Sequence, residues 1–140
     1  MEDIKITTII IAEDDADDRL LIEDALNENN IASEDLMFVD DGEALIDTLD
    51  ANTKAPCMVF LDLNMPKKDG RQALKEIKED ARFKHIPVIV FSTSNSIDDI
   101  KTSYQNGVNT YFTKPSKYSD LVEILRTVKS YWWEKARLAQ

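Results

Sequence analysis

The sequence predicts an α/β fold in which a doubly wound parallel sheet carries helices on both of its faces. Short, unbroken apolar runs alternate along the chain with segments whose apolar residues recur every three or four positions. Unbroken runs are typical of strands buried on both faces, and the longer spacing is typical of helices that cover such strands. Five strands alternating with five helices predict right-handed crossovers and a parallel sheet.

The strands are predicted from the unbroken runs. Residues 7–12, 57–61 and 87–91 form the three clearest, and shorter runs at residues 36–39 and 110–112 predict two more. Runs of four to eight residues have the length of strands rather than helices. In an open sheet of this kind the ligand site lies at the carboxyl ends of the strands, so the residues that follow each run are the candidates for function.

The helices are predicted from apolar stripes with helical spacing. The stripes are Leu21, Ile22, Ala25 and Leu26; Ala44, Leu45, Thr48 and Leu49; Ala73, Leu74 and Ile77; Ile97, Ile100 and Tyr104; and Leu121, Ile124, Leu125, Val128 and Trp132. The last helix is expected to continue to about Leu138. Trp133 is rotated about 100° away from its stripe and is expected either to face elsewhere or to pack on its own domain. Ser96 and Ser116 are predicted N-caps, and Gly107 is predicted to follow the fourth helix.

Composition predicts a single domain spanning residues 1–140. The chain has 140 residues, 43% of them apolar, and no linker or repeat divides it. A formal charge of −10 would repel nucleic acid and anionic membranes. No apolar run approaches the ~20 residues of a membrane span. The first residues are acidic, where a secretory signal would be basic. The lone Cys57 cannot form an internal disulfide, which agrees with a reducing compartment. We therefore expect a cytoplasmic protein that contacts neither nucleic acid nor membrane directly.

Acidic residues follow two of the predicted strands directly. Glu13 and Asp14 follow the first strand, and Asp62 follows the third. Carboxylates that meet at one edge of a sheet repel one another unless a cation joins them. A few carboxylates that leave room for water and phosphate suit Mg²⁺. From the residues alone, Asp14 and Asp62 are explained equally well as site residues and as acids that open ordinary loops.

Three further acids near the first strand have a structural explanation. Asp15 is a predicted N-cap of the first helix. Asp17 and Asp18 lie in its first turn, where negative charge is favourable. We therefore assign these three acids no chemistry.

A hydroxyl and a cation follow the last two strands. Ser92, after the fourth strand, by itself indicates only a loop, and Lys114, after the fifth, by itself indicates a surface charge. In combination with Asp62 and Mg²⁺ they would provide a hydrogen-bond donor and a positive charge beside a carboxylate nucleophile. Such a set suits the binding and transfer of a phosphoryl group.

These residues, in this order, resemble the receiver domain of two-component response regulators. The resemblance runs from about Thr7 to Val128, which is nearly the whole chain. Each of its elements is weak alone, but the ordered set is specific. The elements are Glu13-Asp14, residues 60–66 with Asp69-Gly70, Ser92, Tyr111 and Lys114-Pro115.

The resemblance implies a chemical role for each of these positions. Asp62 would be the phosphoacceptor, and Lys114 and Ser92 would contact the phosphoryl oxygens. The implied cofactor is Mg²⁺, with four ligands: Asp14, Asp62, Asn64 through its backbone carbonyl, and Glu13 through a water. The protein would be a switch that assists its own phosphorylation and dephosphorylation rather than an ordinary enzyme.

The resemblance also implies how the signal enters and leaves. A sensor histidine kinase or a phosphotransfer protein would donate the phosphoryl group. Ser92 would then move towards it and Tyr111 would rotate inward, which alters the surface of the fourth helix, fifth strand and fifth helix. The fold would be flavodoxin-like with strand order 2-1-3-4-5, a core at about residues 7–128, no output domain, and a cis bond between Lys114 and Pro115.

The extended aromatic last helix, together with residues 61–70 and 92–94, resembles the phytochrome-associated subgroup of stand-alone receivers. Members of that subgroup often form homodimers. We expect the same of this chain, through the fourth helix, fifth strand and fifth helix and through the C-terminal tail.

Other functions compete with a switch. A phosphorelay intermediate that passes the phosphoryl group onward would use the same residues. A phosphohydrolase of the haloacid-dehalogenase type needs a second acid two residues after its nucleophile, where this chain has Asn64. A glycine-rich phosphate loop is absent, which argues against a nucleotide-binding protein. A flavin-binding protein would be coloured after purification. A structural scaffold with an inactive site would lack some of the site residues, which are complete here. His85 is the only histidine and cannot form a zinc site alone.

Overall fold

The computed structural model describes residues 5–51 and 56–139. It contains one sheet of five parallel strands: β1 (Thr8–Ala12), β2 (Leu36–Val39), β3 (Cys57–Leu61), β4 (Val88–Ser92) and β5 (Thr110–Thr113). Their order is β2-β1-β3-β4-β5, which confirms the predicted fold class and strand order. The order reverses between β1 and β3, so the carboxyl ends of these two strands face the crevice where such sheets bind ligands.

Five helices connect the strands: α1 (Ala16–Glu28), α2 (Gly42–Ala51), α3 (Gly70–Glu79), α4 (Ile97–Gln105) and α5 (Tyr118–Lys129). The Ser96 side chain accepts a hydrogen bond from the Asp99 backbone N–H, which confirms the predicted cap of α4. Gly107 follows α4 with φ of +92°, as its predicted place requires. The prediction for Ser116 is wrong, because α5 begins at Tyr118 and its N-cap residue is Lys117, whose side chain makes no capping hydrogen bond. None of the helices in the described ranges is both long and apolar enough to cross a bilayer.

Both faces of the sheet are covered, and neighbouring residues of a strand contribute to different cores. In β1, Ile10 and Ala12 pack against α2 and α3, whereas Ile9 and Ile11 pack against α1 and α5. All five residues of β3 are buried. This alternation explains why the central strands are continuous apolar runs, since both side-chain directions lead into a core.

The apolar stripe of α4 does not form the buried face that the sequence predicts. Ile97 is 81% exposed and Tyr104 is 50% exposed, and the only fully buried residue of this helix is Ser103. The neighbouring strand β5 lies at one edge of the sheet, and none of its four residues is fully buried. The helix therefore presents apolar side chains to solvent.

The C-terminal helix is shorter than predicted. A π-helical segment (Ser130–Lys135) follows α5, and Ala136 is already extended, so the helix does not reach Leu138. Trp132 and Trp133 are both half-buried and both pack against the α1–α5 side of the core. Of the two positions that the sequence left open for Trp133, packing on its own domain is therefore the one observed.

Candidate functional site

Three carboxylates meet at the carboxyl ends of the two central strands. Ala12 at the end of β1 pairs with Leu61 at the end of β3, so the residues that follow them emerge side by side. Glu13, Asp14 and Asp62 each offer an oxygen, and these three oxygens lie within 4.8 Å of one another. Hard oxygen ligands at this spacing suit a divalent cation such as Mg²⁺.

The three acids differ in burial. Glu13 and Asp62 are buried, whereas Asp14 is exposed. Burial raises the pKa of Glu13 to about 7; a hydrogen bond from Lys114 opposes this rise and the charge of Asp62 adds to it. Three clustered carboxylates with one lysine beside them leave negative charge that a bound cation would offset.

Lys114 connects the last strand to this cluster. Its backbone N–H donates to the Ser92 carbonyl (2.8 Å), which fixes the end of β5 beside the end of β4. Its ammonium lies 3.3 Å from Asp62 Oδ2 and also donates to Glu13 Oε1. Burial lowers the pKa of Lys114, but hydrogen bonds to Asp18 and Glu13 and the charge of Asp62 outweigh burial and raise it. Lys114 is thus held as a cation against the predicted acceptor.

The second oxygen of the Asp62 carboxylate accepts a hydrogen bond from the loop that follows β3. The Asn64 backbone N–H donates to Asp62 Oδ1 (3.2 Å). The loop also passes very close to the start of α3, because a Cβ added to Gly70 would lie 2.1 Å from the Asp62 carbonyl oxygen. Any larger residue than glycine at position 70 would displace the backbone that carries Asp62.

The predicted switch residues are linked through the loop that follows β4. Ser92 is completely buried, and its Oγ accepts a hydrogen bond from the Ser94 backbone N–H (3.2 Å). Tyr111 is half-buried, and its hydroxyl donates to the Ser94 carbonyl (2.8 Å). The two side chains therefore contact the same residue, so a movement of the loop would affect both.

The sequence did not reveal two residues that contact the site. Asp15 caps α1 as predicted, but Asp18, to which no chemistry was assigned, places Oδ2 2.7 Å from Lys114 Nζ. No helical spacing linked Asp18 to the site residues in the sequence, because Asp14 lies before the N-cap of α1. Arg71 Nη1 lies 3.3 Å from Asn64 Oδ1, and the guanidinium also binds both carboxylate oxygens of Asp99.

The bond between Lys114 and Pro115 is not cis, since the described residues contain no cis peptide bond. The expectation taken from the family is therefore wrong here. Trans is the isomer that a bond before proline favours, by about 0.5–1 kcal/mol.

Comparison with known proteins identifies the family. Residues 9–126 match the family described as "Response regulator receiver domain". The chain is 38% identical over 135 residues to the response regulator Rcp1 of Synechocystis sp., an alignment that covers 93% of this chain and 91% of Rcp1.

Solved structures give the same result. The structure of the phosphorylated cyanobacterial phytochrome response regulator RcpA has a TM-score of 0.85 and 38% identity, and the match covers 96% of this chain and 99% of RcpA. The Mn²⁺-bound form of Rcp1 has a TM-score of 0.83 and 35% identity, with the same coverage. The resemblance to phytochrome-associated regulators is thereby confirmed. The chain belongs to the receiver-domain family of two-component response regulators.

Proposed function

We propose that Asp62 accepts a phosphoryl group from a phosphohistidine on a sensor histidine kinase or a phosphotransfer protein. The observation that carries this assignment is the position of its carboxylate, buried at the end of β3 between Glu13, Asp14 and the Lys114 ammonium. In the transfer, an Asp62 oxygen forms a bond to phosphorus as the bond from phosphorus to the histidine nitrogen breaks. The electron pair of that bond stays on the imidazole.

The residues around Asp62 fit this reaction. Lys114 would offset the charge of the phosphoryl oxygens, and the Asn64 N–H would keep the acceptor carboxylate oriented. Mg²⁺ would supply further positive charge. Its ligands would be Asp14, Asp62, the Asn64 backbone carbonyl and, through a water, Glu13. The Mn²⁺-bound structure of the related Rcp1 supports a divalent cation at such a site.

We propose that Ser92 and Tyr111 carry the signal away from Asp62. The Ser92 hydroxyl would turn to donate to a phosphoryl oxygen, which disturbs its bond with the Ser94 N–H. Because the Tyr111 hydroxyl donates a hydrogen bond to the Ser94 carbonyl, the loop after β4 and the Tyr111 ring would move together. The surface formed by α4, β5 and α5 would change as a result.

The output of this switch would be a protein contact. Ile97 and Tyr104 of α4 lie on that surface and are largely exposed. Apolar side chains of this size in solvent favour a docking face. We propose that a second copy of the chain binds there, as the resemblance to the phytochrome-associated subgroup implies, with the C-terminal segment contributing to the contact.

The acceptor assignment is tested by incubation with acetyl phosphate and Mg²⁺ followed by intact-mass measurement. The wild type should gain one phosphoryl group that is labile to acid, and Asp62→Asn should gain none. Asp17→Asn is the matched control, because it removes the same charge from an exposed position in the first turn of α1. A phosphoryl gain that persists in Asp62→Asn would overturn the assignment.

A further inference from the structure

Asp18 has a contact that the proposed reaction does not use. It lies in the first turn of α1, its side chain is 35% exposed, and its Oδ2 is 2.7 Å from Lys114 Nζ. Its backbone N–H serves the cap of the helix by donating to Asp15 Oδ1 (2.9 Å). A change of the Asp18 side chain therefore leaves the capping hydrogen bond in place.

Each of the three N–H groups of the Lys114 ammonium can be matched to a carboxylate. A lysine ammonium carries three N–H groups, and in the described residues Lys114 binds three carboxylates, those of Glu13, Asp18 and Asp62. Glu13 and Asp62 also belong to the cluster that suits a cation. Asp18 lies outside that cluster, so its carboxylate is available to the lysine alone.

We propose that Asp18 is a positioning residue that competes with the phosphoryl group on Asp62 for the Lys114 ammonium, and so makes the phosphorylated state less stable. This inference rests on the proposed function of Asp62. It assigns to α1 a part in setting how fully the switch is phosphorylated.

The direction of the effect follows from charge and from hydrogen-bond capacity. A phosphoryl group adds negative charge and three acceptor oxygens beside Lys114. To donate to these oxygens the ammonium must loosen its bond to an existing carboxylate, and the Asp18 charge also repels the new one. When Asp18 is neutral, Glu13 still holds the lysine in place, and the ammonium has one more N–H group free to donate to a phosphoryl oxygen.

The chain provides a closely matched control. Asp17 is the neighbouring residue, lies in the same helical turn and is exposed. It is not one of the three carboxylates paired with Lys114 among the described residues. Asp17→Asn and Asp18→Asn therefore make the same change in net charge and in the electrostatics of the helix terminus, but only Asp18→Asn alters the lysine contact.

The test is calorimetric titration with beryllofluoride, a mimic of the phosphoryl group, at saturating Mg²⁺. Asp18→Asn should bind about two- to fivefold more tightly than the wild type, the range expected for one partly exposed charge contact. Asp17→Asn should bind like the wild type. Asp18→Glu keeps the charge and should restore the wild-type affinity. A gain in affinity is not what a merely destabilising substitution would produce.

Three results would overturn the inference. Asp18→Asn could bind no more tightly than the wild type, or Asp17→Asn could gain as much, or Asp18→Glu could bind as tightly as Asp18→Asn. In each case a wild type that binds beryllofluoride and gains a phosphoryl group on Asp62 leaves the proposed function intact. A wild type that does neither would overturn the proposed function, and this inference with it.

Discussion

At the residue scale, the site combines three close carboxylates with one lysine that cannot offset them all. The pKa of Glu13 rises to about 7, first because the side chain is buried and in smaller part because the charge of Asp62 lies close to it. Asp14 is the exposed member of the cluster, so it can be changed without creating a cavity in the core. It is therefore the position at which cation binding is most cleanly separated from folding.

We predict that Asp14→Asn removes most of the stabilisation that Mg²⁺ gives to the folded protein. A ligand present at 100 times its dissociation constant stabilises the folded state by about 2.7 kcal/mol, provided that it does not bind the unfolded chain. Thermal unfolding with and without Mg²⁺ should show a large rise in Tm for the wild type and a small one for Asp14→Asn. Without Mg²⁺ the variant should be at least as stable as the wild type, since one repulsive charge is gone.

Asp17→Asn is the control for this measurement, and its Tm should rise with Mg²⁺ as in the wild type. The cation site would lie elsewhere if Asp14→Asn kept the full Mg²⁺ effect. A loss of the effect in Asp17→Asn would instead point to a general dependence on net charge.

At the scale of secondary-structure elements, one ion pair joins the start of α3 to the start of α4. The Arg71 guanidinium binds both carboxylate oxygens of Asp99 at 2.9 Å. Asp99 also accepts a hydrogen bond from the Ser94 hydroxyl (2.6 Å). The pair therefore ties the loops after β3 and β4 together next to the site, and it restrains the residue that both Ser92 and Tyr111 contact.

We predict that Asp99 makes the stability of the protein depend on pH between about 4 and 2. Hydrogen bonds from Arg71 first, and from Ser94 second, lower its pKa to about 2 in the folded state. An unfolded aspartate titrates near 3.9, so the contribution of Asp99 is fully present above about pH 4 and is lost as the pH falls towards 2. Because both side chains are partly exposed, we expect about 1 kcal/mol rather than the full value of the shift.

Urea unfolding at a series of pH values, comparing the wild type with Asp99→Asn, measures this contribution. The difference in the free energy of unfolding should shrink as the pH falls through that window. Asp98→Asn removes the same charge from the same turn of α4 without the contacts to Arg71 and Ser94, so its effect should be smaller. A difference for Asp99→Asn that does not change with pH would contradict the prediction.

At the scale of the whole molecule, charge and exposed apolar surface act against each other. The formal charge of −10 favours separate molecules in solution, whereas α4 exposes Ile97 and Tyr104 on the proposed output surface. Burying one isoleucine side chain contributes about 1.5–3 kcal/mol, and a symmetric dimer buries two copies. Burial of this face would therefore contribute a substantial part of the free energy that offsets the cost of association.

We predict that the protein forms a homodimer and that Ile97→Ser raises its dissociation constant at least about tenfold. Sedimentation velocity over a range of concentrations, with and without beryllofluoride and Mg²⁺, measures this constant. Leu20→Ser is the control, because Leu20 is 58% exposed on α1, a helix that is not one of the elements of the proposed face. A protein that stays monomeric at high concentration in both states would exclude the dimer.

Much of the fold was predictable because local sequence patterns reflect burial directly. The continuous run of β3 was recognisable since all five of its residues are buried, and the stripe of Ala73, Leu74 and Ile77 on α3 faces the core as predicted. The same reasoning was wrong for α4, where Ile97 and Tyr104 of the predicted stripe are exposed and Ile100 is only half-buried. Periodicity shows that a helix has an apolar face, but it does not show what lies against that face.

The candidate site was predictable where a residue follows a strand and was missed where it does not. Glu13, Asp14 and Asp62 come together because the ends of parallel neighbouring strands must meet. Asp18 and Arg71 project from helices, and whether they reach the site depends on how those helices lie on the sheet.

The sequence by itself determined the order of the elements, the two buried faces of the central strands and the residues at the strand ends. Only the tertiary structure decided that Asp18 shares Lys114 with Asp62, that Arg71 joins two loops through Asp99, and that the last helix widens at residue 130. The physical reason is the separation along the sequence of the residues that interact. Strand and helix patterns arise from neighbours along the chain, whereas these contacts depend on the packing of elements that are distant in sequence.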